Sequence, residues 1–159
     1  MTDIISVNDN SYLVTTCRML TFNEKQVMKG FKSHIEADTL QNVNFRKVLY
    51  TGHHMQLVLM SLKPKEEIGA EIHQENDQFF RFESGEGKVI IDGNEYLVKD
   101  GDAVVIPSGA KHNIINTNSD KELKMYTIYA PPHHKDGIIR ATKHEAETNE
   151  AEYDGKPSE

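Results

Sequence analysis

Gly101-Asp102-Ala103-Val104-Val105-Ile106-Pro107-Ser108-Gly109-Ala110-Lys111-His112-Asn113-Ile114-Ile115-Asn116 is the stretch on which the fold turns. A run rich in Val and Ile meets Pro107 and Gly109, residue types that favour a reversal, and a second apolar-patterned run leads back from it. His112 opens that returning run, so its imidazole is expected to point inward. The same texture extends on both sides, with short runs of Val, Ile, Tyr and Phe separated by Gly, Asp, Asn, Pro and Ser. It predicts strands at 44–50, 55–62, 70–73, 78–83, 87–92, 95–99, 102–106, 112–116 and 123–129. Asp92-Gly93 supplies the positive φ of a tight hairpin, and Ser84-Gly85 and Asp100-Gly101 mark two further reversals. No helical apolar period appears between 40 and 131, so helix is expected only towards the ends. Strands spaced by roughly 8 to 12 residues without intervening helices predict an all-β sandwich or small barrel.

The rest of the composition bounds the protein. At 159 residues the chain supports one domain with a substantial core and no second full domain. A formal charge of −7 without any Lys/Arg run argues against nucleic acid or an anionic membrane as partner, since both need a basic footprint. The single cysteine, Cys17, excludes an internal disulfide framework, fits a reducing compartment and has no neighbouring His or Cys to activate it. No segment approaches the roughly 20 apolar residues that cross a bilayer. The start also lacks a basic region followed by an apolar block. The expectation is a soluble, cytoplasmic protein. Three parts are predicted: an N-terminal extension at 1–27 with modest apolar patches at 12–14 and 19–22, a barrel domain at 28–140, and an acidic, flexible tail at 141–159. That tail holds six acidic and two basic residues, a net −4 of the −7, and one large apolar side chain, Tyr153. Such a composition cannot offset the entropy of ordering.

The gaps separating Gly101, Pro107, Gly109, His112 and Asn116 match the second motif of the cupin family at every position. The family's first motif runs Gly, five residues, His-x-His, three or four residues, Glu, six residues, Gly. Counting back from Gly85 sets Gln78 at its Glu, His73 at its second His, Glu71 at its first and Lys65 at the leading Gly. A second register pairs His73 with Glu75 but leaves too few residues before Gln78. Residues i and i+2 of a strand share a face and can chelate one ion, so Glu71 and His73, with Gln78 and His112 from neighbouring strands, form the expected metal-ligand set. With an oxygen replacing an imidazole, that set favours Mn, Fe(II) or Zn over Cu or Ni. Glu71, His73 and His112 also make the two-His, one-carboxylate set of non-heme Fe(II) oxygenases. The alternative is a barrel that keeps these polar groups hydrogen-bonded without an ion.

Residues 40–131 resemble small single-domain cupins, and the stretch 28–147 resembles bacterial cupins described as mannose-6-phosphate isomerase-like. The resemblance implies a double-stranded β-helix (jelly-roll) barrel with irregular extensions, a divalent metal in its mouth and often a homodimer. It implies a metal-dependent isomerase acting on a small polar substrate, a sugar or sugar phosphate. Glu75 or Asp77 is the expected catalytic base, with Lys135 as an anion contact. Fe(II)-dependent dioxygenation and non-catalytic binding of a small ligand stand as alternatives. Phe80 and Phe82 continue inward from Gln78 at period two, as core or as a cavity wall. The run from Tyr129 to Gly137, with two prolines and His133-His134-Lys135, either folds over the mouth to present His or Lys or crosses the surface. His53-His54, His34 and His144 are expected outside the site.

Overall fold

The computed structural model describes residues 27–159, so the expectations for Cys17 and for the patches at 12–14 and 19–22 lie outside the described residues. Along the chain it runs α1 (Ile35–Gln41), β1 (Arg46–Thr51), β2 (Gln56–Leu62), β3 (Glu71–Ile72), β4 (Asp77–Ser84), β5 (Glu86–Ile91), β6 (Asn94–Lys99), β7 (Ala103–Ile106), β8 (Lys111–Asn116), β9 (Leu123–Ala130), β10 (Ile139–Arg140) and α2 (Lys143–Thr148). Two antiparallel sheets form, ordered β10-β1-β2-β9-β4-β7 and β3-β8-β5-β6. Each strand expected between 44 and 129 is present with ends shifted by at most two residues, and the helices lie at the ends.

Alternation along the strands explains why two sheets close on one core. In β4 the buried positions are Gln78, Phe80 and Phe82, and in β9 they are Leu123, Met125, Thr127 and Tyr129. With period-two side chains, one face of each strand turns inward and the other meets solvent. Val58, Met60 and Leu62 of β2, Val89 of β5 and Ile114 of β8 fill the space between the sheets. Each such side chain removed from water contributes about 1.5–3 kcal/mol. Phe80 and Phe82, fully buried with ring centroids 6.3 Å apart, belong to this core.

Two turns depend on particular residues. Asp92 (φ 46°) and Gly93 (φ 84°) carry consecutive positive φ values, the conformation of a type I′ hairpin between β5 and β6. Gly87 answers a different demand: a Cβ there would lie 2.6 Å from Leu123 Cδ2 and 2.7 Å from the Ile115 carbonyl oxygen. Strand β5 therefore approaches β8 and β9 too closely for any side chain at that position.

The acidic segment 141–159 differs from the solvated tail that its composition predicts. Thr142 caps α2 by accepting from the Glu145 N–H (3.2 Å), while the Glu145 carboxylate accepts from the Ala141 N–H (2.8 Å). Beyond the helix, Lys135 N–H donates to Ala151 O (2.8 Å) and Tyr153 N–H to His133 O (2.9 Å). Ser158 and Thr51 exchange two bonds, and the Glu159 carboxylate accepts from the Lys29 and Gly30 N–H groups. The ordering comes from backbone pairing to the barrel, which low hydrophobicity does not forbid. Among the described residues, no helix is long and apolar enough to cross a membrane.

Candidate metal centre

Strands β3, β4 and β8 deliver the inward polar side chains. Pairing of β3 with β8 sets Glu71 directly opposite His112, and β4, between β7 and β9, carries the buried Gln78. The turn that precedes β8 is tied from two sides. Gly109 N–H donates to the His73 carbonyl (2.8 Å) and Ser108 N–H to the Asp77 carboxylate (2.9 Å). The Pro-Gly turn thus fixes both His112 and the loop bearing His73. Lys65 has φ 63°, the left-handed conformation that glycine supplies at the first position of the family's motif. That backbone feature favours the register through Glu71.

Ligand atoms of Glu71, His73 and His112 all lie within 4.8 Å of one another. His73 Nε2 is 3.3 Å from Glu71 Oε2, and the two imidazole centroids are 5.3 Å apart. His112 contacts the Ala110 carbonyl through Nδ1 (3.0 Å); a proton on Nδ1 leaves the Nε2 lone pair facing the interior. The Gln78 amide donates through Nε2 to Thr127 Oγ1 (3.1 Å), which leaves Oε1 as a free acceptor. Among the described residues, His112 Nε2 and Gln78 Oε1 are buried without a hydrogen-bond partner, and His73 Nε2 has only the Glu71 carboxylate oxygen beside it. Buried polar atoms normally find one. Unpartnered electron-pair donors beside a carboxylate fit a divalent cation, so Glu71, His73, His112 and Gln78 are suited to holding one.

Electrostatics agree with that fit. Burial alone would raise the Glu71 carboxyl, yet the His73, Arg46 and His112 neighbours outweigh it and hold it below its ordinary value. Burial lowers His112, keeping the neutral, ligating form. His133 is lowered to about 4, chiefly by burial with His73 adding to it, and burial pushes His134 further down and Tyr129 up.

The site opens to a cleft of about 500 Å³ whose walls include His73, Glu75, Asn76, His133, Glu152 and Tyr153. Among the described residues, no lysine or arginine lines it. Glu75 stands at this mouth, exposed and outside the ligand cluster, so the second register is not the one that brings ligands together. Asp77 corrects an expectation: it lies on the opposite face of β4 from Gln78, exposed, and fixes the Ser108 turn instead of facing the cavity. Lys135 is exposed and is not among the residues that line the cleft, contrary to its expected anion contact. His53 and His54 are exposed between β1 and β2, while His34 and His144 sit on α1's cap and α2.

Of the two courses expected for the Tyr129–Gly137 run, the structure shows the first: His133 packs its ring 4.4 Å from His73 and 5.4 Å from Tyr129, so the Pro131-Pro132 run folds over the mouth. One participant, Arg46, was not singled out from sequence. Arg46 is 5% exposed and faces a small cavity of about 60 Å³ shared with Glu71 and Glu150. The double proline signalled the course of the run; nothing marked an arginine of β1 as interior.

Residues 58–129 match the model described as a cupin domain. An uncharacterised protein of Acanthamoeba polyphaga mimivirus is 42% identical over 120 residues, which are 74% of this chain and 73% of that protein. Uncharacterised YrkC of Bacillus subtilis is 45% identical over 124 residues, 74% of this chain and 66% of YrkC. The crystal structure of BH2720 from Bacillus halodurans superposes with a TM-score of 0.74 at 41% identity, covering 76% of this chain and 95% of that one. With the jelly-roll topology and the ligand-bearing strands in place, the chain belongs to the cupin family.

Proposed function

We propose that the protein is a metal-dependent enzyme acting on a small, uncharged polyhydroxylated substrate, with aldose–ketose isomerisation as its reaction. The observation that carries this reading is the convergence of Glu71, His73 and His112 ligand atoms, with the buried Gln78 Oε1 unpartnered among the described residues, where His73 borders a cleft rimmed by carboxylates and amides. A divalent ion held there supplies Lewis acidity towards a carbonyl or adjacent hydroxyl. Gln78 is oriented by Thr127, and Tyr129 and His133 wall the ligand group from bulk water. Glu75, exposed at the mouth, is the carboxylate available to move a proton between neighbouring carbons. A phosphorylated sugar fits less well, because Glu75 and Glu152 line the cleft and, among the described residues, no lysine or arginine does.

Reloading the protein with Mn(II), Fe(II) or Zn(II) and incubating it with unphosphorylated aldoses in D2O is the test. Deuterium should appear at C2, and Glu75→Gln should slow its appearance by 10²-fold or more, on the order of what a general base contributes. Absence of exchange with every aldose and every metal would remove the isomerase reading. The Glu71, His73 and His112 set also favours a second reading, Fe(II)-dependent dioxygenation. That reading requires oxygen uptake by the Fe(II)-loaded protein with an organic substrate.

A further inference from the structure

We infer that His133, His134 and Glu150 form a second divalent-cation site, beside the Glu71, His73 and His112 centre and independent of it. Their ligand atoms lie within 4.8 Å of one another. His134 is 2% exposed, and its Nε2 is buried with no hydrogen-bond partner among the described residues. A buried imidazole nitrogen left unpaired costs about 1–3 kcal/mol, and a cation at that nitrogen removes the cost.

The backbone around all three residues is held in place before any ion arrives. His134 N–H donates to Gln56 Oε1 (2.9 Å), and Gln56 Nε2 donates back to the His134 carbonyl (2.6 Å). Glu150 is flanked by Asn149, whose carbonyl accepts from Arg140 Nε (3.0 Å), and by Ala151, whose carbonyl accepts from Lys135 N–H (2.8 Å). Adjacent histidines on a regular strand would face opposite ways. Residues 133 and 134 follow the end of β9 and lie outside any named strand, and their ring centroids come to 4.7 Å. Glu150 is exposed, so the site has an entry from solvent.

Donor chemistry selects the ion. Two imidazoles and one carboxylate give a hard cation little to hold. Mg(II) and Ca(II) need several oxygen ligands, whereas Zn(II), Co(II), Ni(II) and Cu(II) bond well to imidazole.

The experiment uses the full untagged chain, stripped with a chelator, dialysed against Zn(II) or Co(II) and analysed for bound metal. Two ions per chain are expected, with one in Glu150→Gln and one in His134→Gln, and Mg(II) should not fill the second site. Glu150→Gln changes an exposed residue and keeps its far-UV circular dichroism, so it remains informative if His134→Gln fails to fold. Glu71→Gln should also drop the count to one, and combining it with Glu150→Gln should drop it to zero. A single ion in the wild type, lost only in Glu71→Gln, overturns this inference and leaves the first centre standing. A second ion that persists in Glu150→Gln and disappears in a His53→Ala/His54→Ala variant also overturns it, because the ion then sits on the exposed hairpin. No ion at all overturns both sites.

Discussion

Replacing Thr127 by Val asks whether the Gln78 amide is held for an ion or is only part of the core. Thr127 is fully buried, and its Oγ1 accepts the 3.1 Å bond from Gln78 Nε2. Valine has nearly the same shape, so packing is retained and the change is confined to that hydrogen bond. In the metal-free protein the Gln78 Nε2 group loses its acceptor inside the barrel, at a cost of about 1–3 kcal/mol for an unsatisfied buried donor. The same loss frees the amide to rotate away from the His73 and His112 nitrogens. Partners that orient metal ligands are typically worth 10- to 100-fold in affinity, about 1.4–2.8 kcal/mol at 1.4 kcal/mol per decade. Urea denaturation of the apo-protein measures the first number, and competition with a chromophoric chelator measures the second. Metal affinity unchanged alongside a stability loss would show that Gln78 is not aimed at an ion. Unchanged stability would show that its donor is satisfied elsewhere, and the reasoning about both would fail.

Further perturbations probe other parts of the argument. Gly87→Ala should lower stability by at least the roughly 1–3 kcal/mol of an overpacked core, because the Ile115 carbonyl 2.7 Å from the new Cβ is backbone; an unshifted urea midpoint would disprove the close approach of β5. Asp77→Ala should cost about 0.5–1.5 kcal/mol through the Ser108 N–H and leave the metal count intact. A complete loss of C2 exchange in that variant, with the metal retained, would reinstate Asp77 as a catalytic group. Acid should release the C-terminal latch. The Lys29 and Gly30 N–H groups and the Tyr50 hydroxyl hold the Glu159 carboxyl below its ordinary 4.5. Its contribution is therefore present above pH 4.5 and is lost as pH falls through the lower folded value. Relative to the intrinsic exchange rate at each pH, the hydrogen-exchange protection of Lys29 and Gly30 should fall on acidification, and Glu159→Gln should abolish that change in protection; equal protection factors at pH 6 and pH 3 would contradict the latch.

Strand positions were legible because each depends on local alternation and on a turn residue at a known offset. Phe80, Phe82, Leu123 and Met125 mark the inward face without help from the rest of the chain. The terminal helices were not legible for a related reason. Among its residues, α2 buries only Ala146, and α1 buries only Thr39, so neither shows an apolar period. A signal for α2 did exist in Thr142-Lys143-His144-Glu145, which has the form of a capping box and which the acidic composition obscured. The short β10 pairs with β1 through only two residues, too few for any pattern to register.

The sequence by itself determined the all-β class and the alternation of burial along its strands, and its resemblance to the cupin motifs pointed to Glu71, His73, Gln78 and His112. Those features are set by chain-local geometry: period two along a strand, positive φ at a turn, a fixed number of residues around a hairpin. Only the tertiary structure decided that Asp77 ties down the Ser108 turn, that Arg46 is interior, that His133 lies against His73 and that Glu150 reaches His133 and His134. Each depends on segments far apart in sequence meeting through backbone pairing, as when Lys135 and Ala151 or Thr51 and Ser158 bond. Backbone donors and acceptors are common to nearly every residue type, so such pairings leave almost no trace in composition.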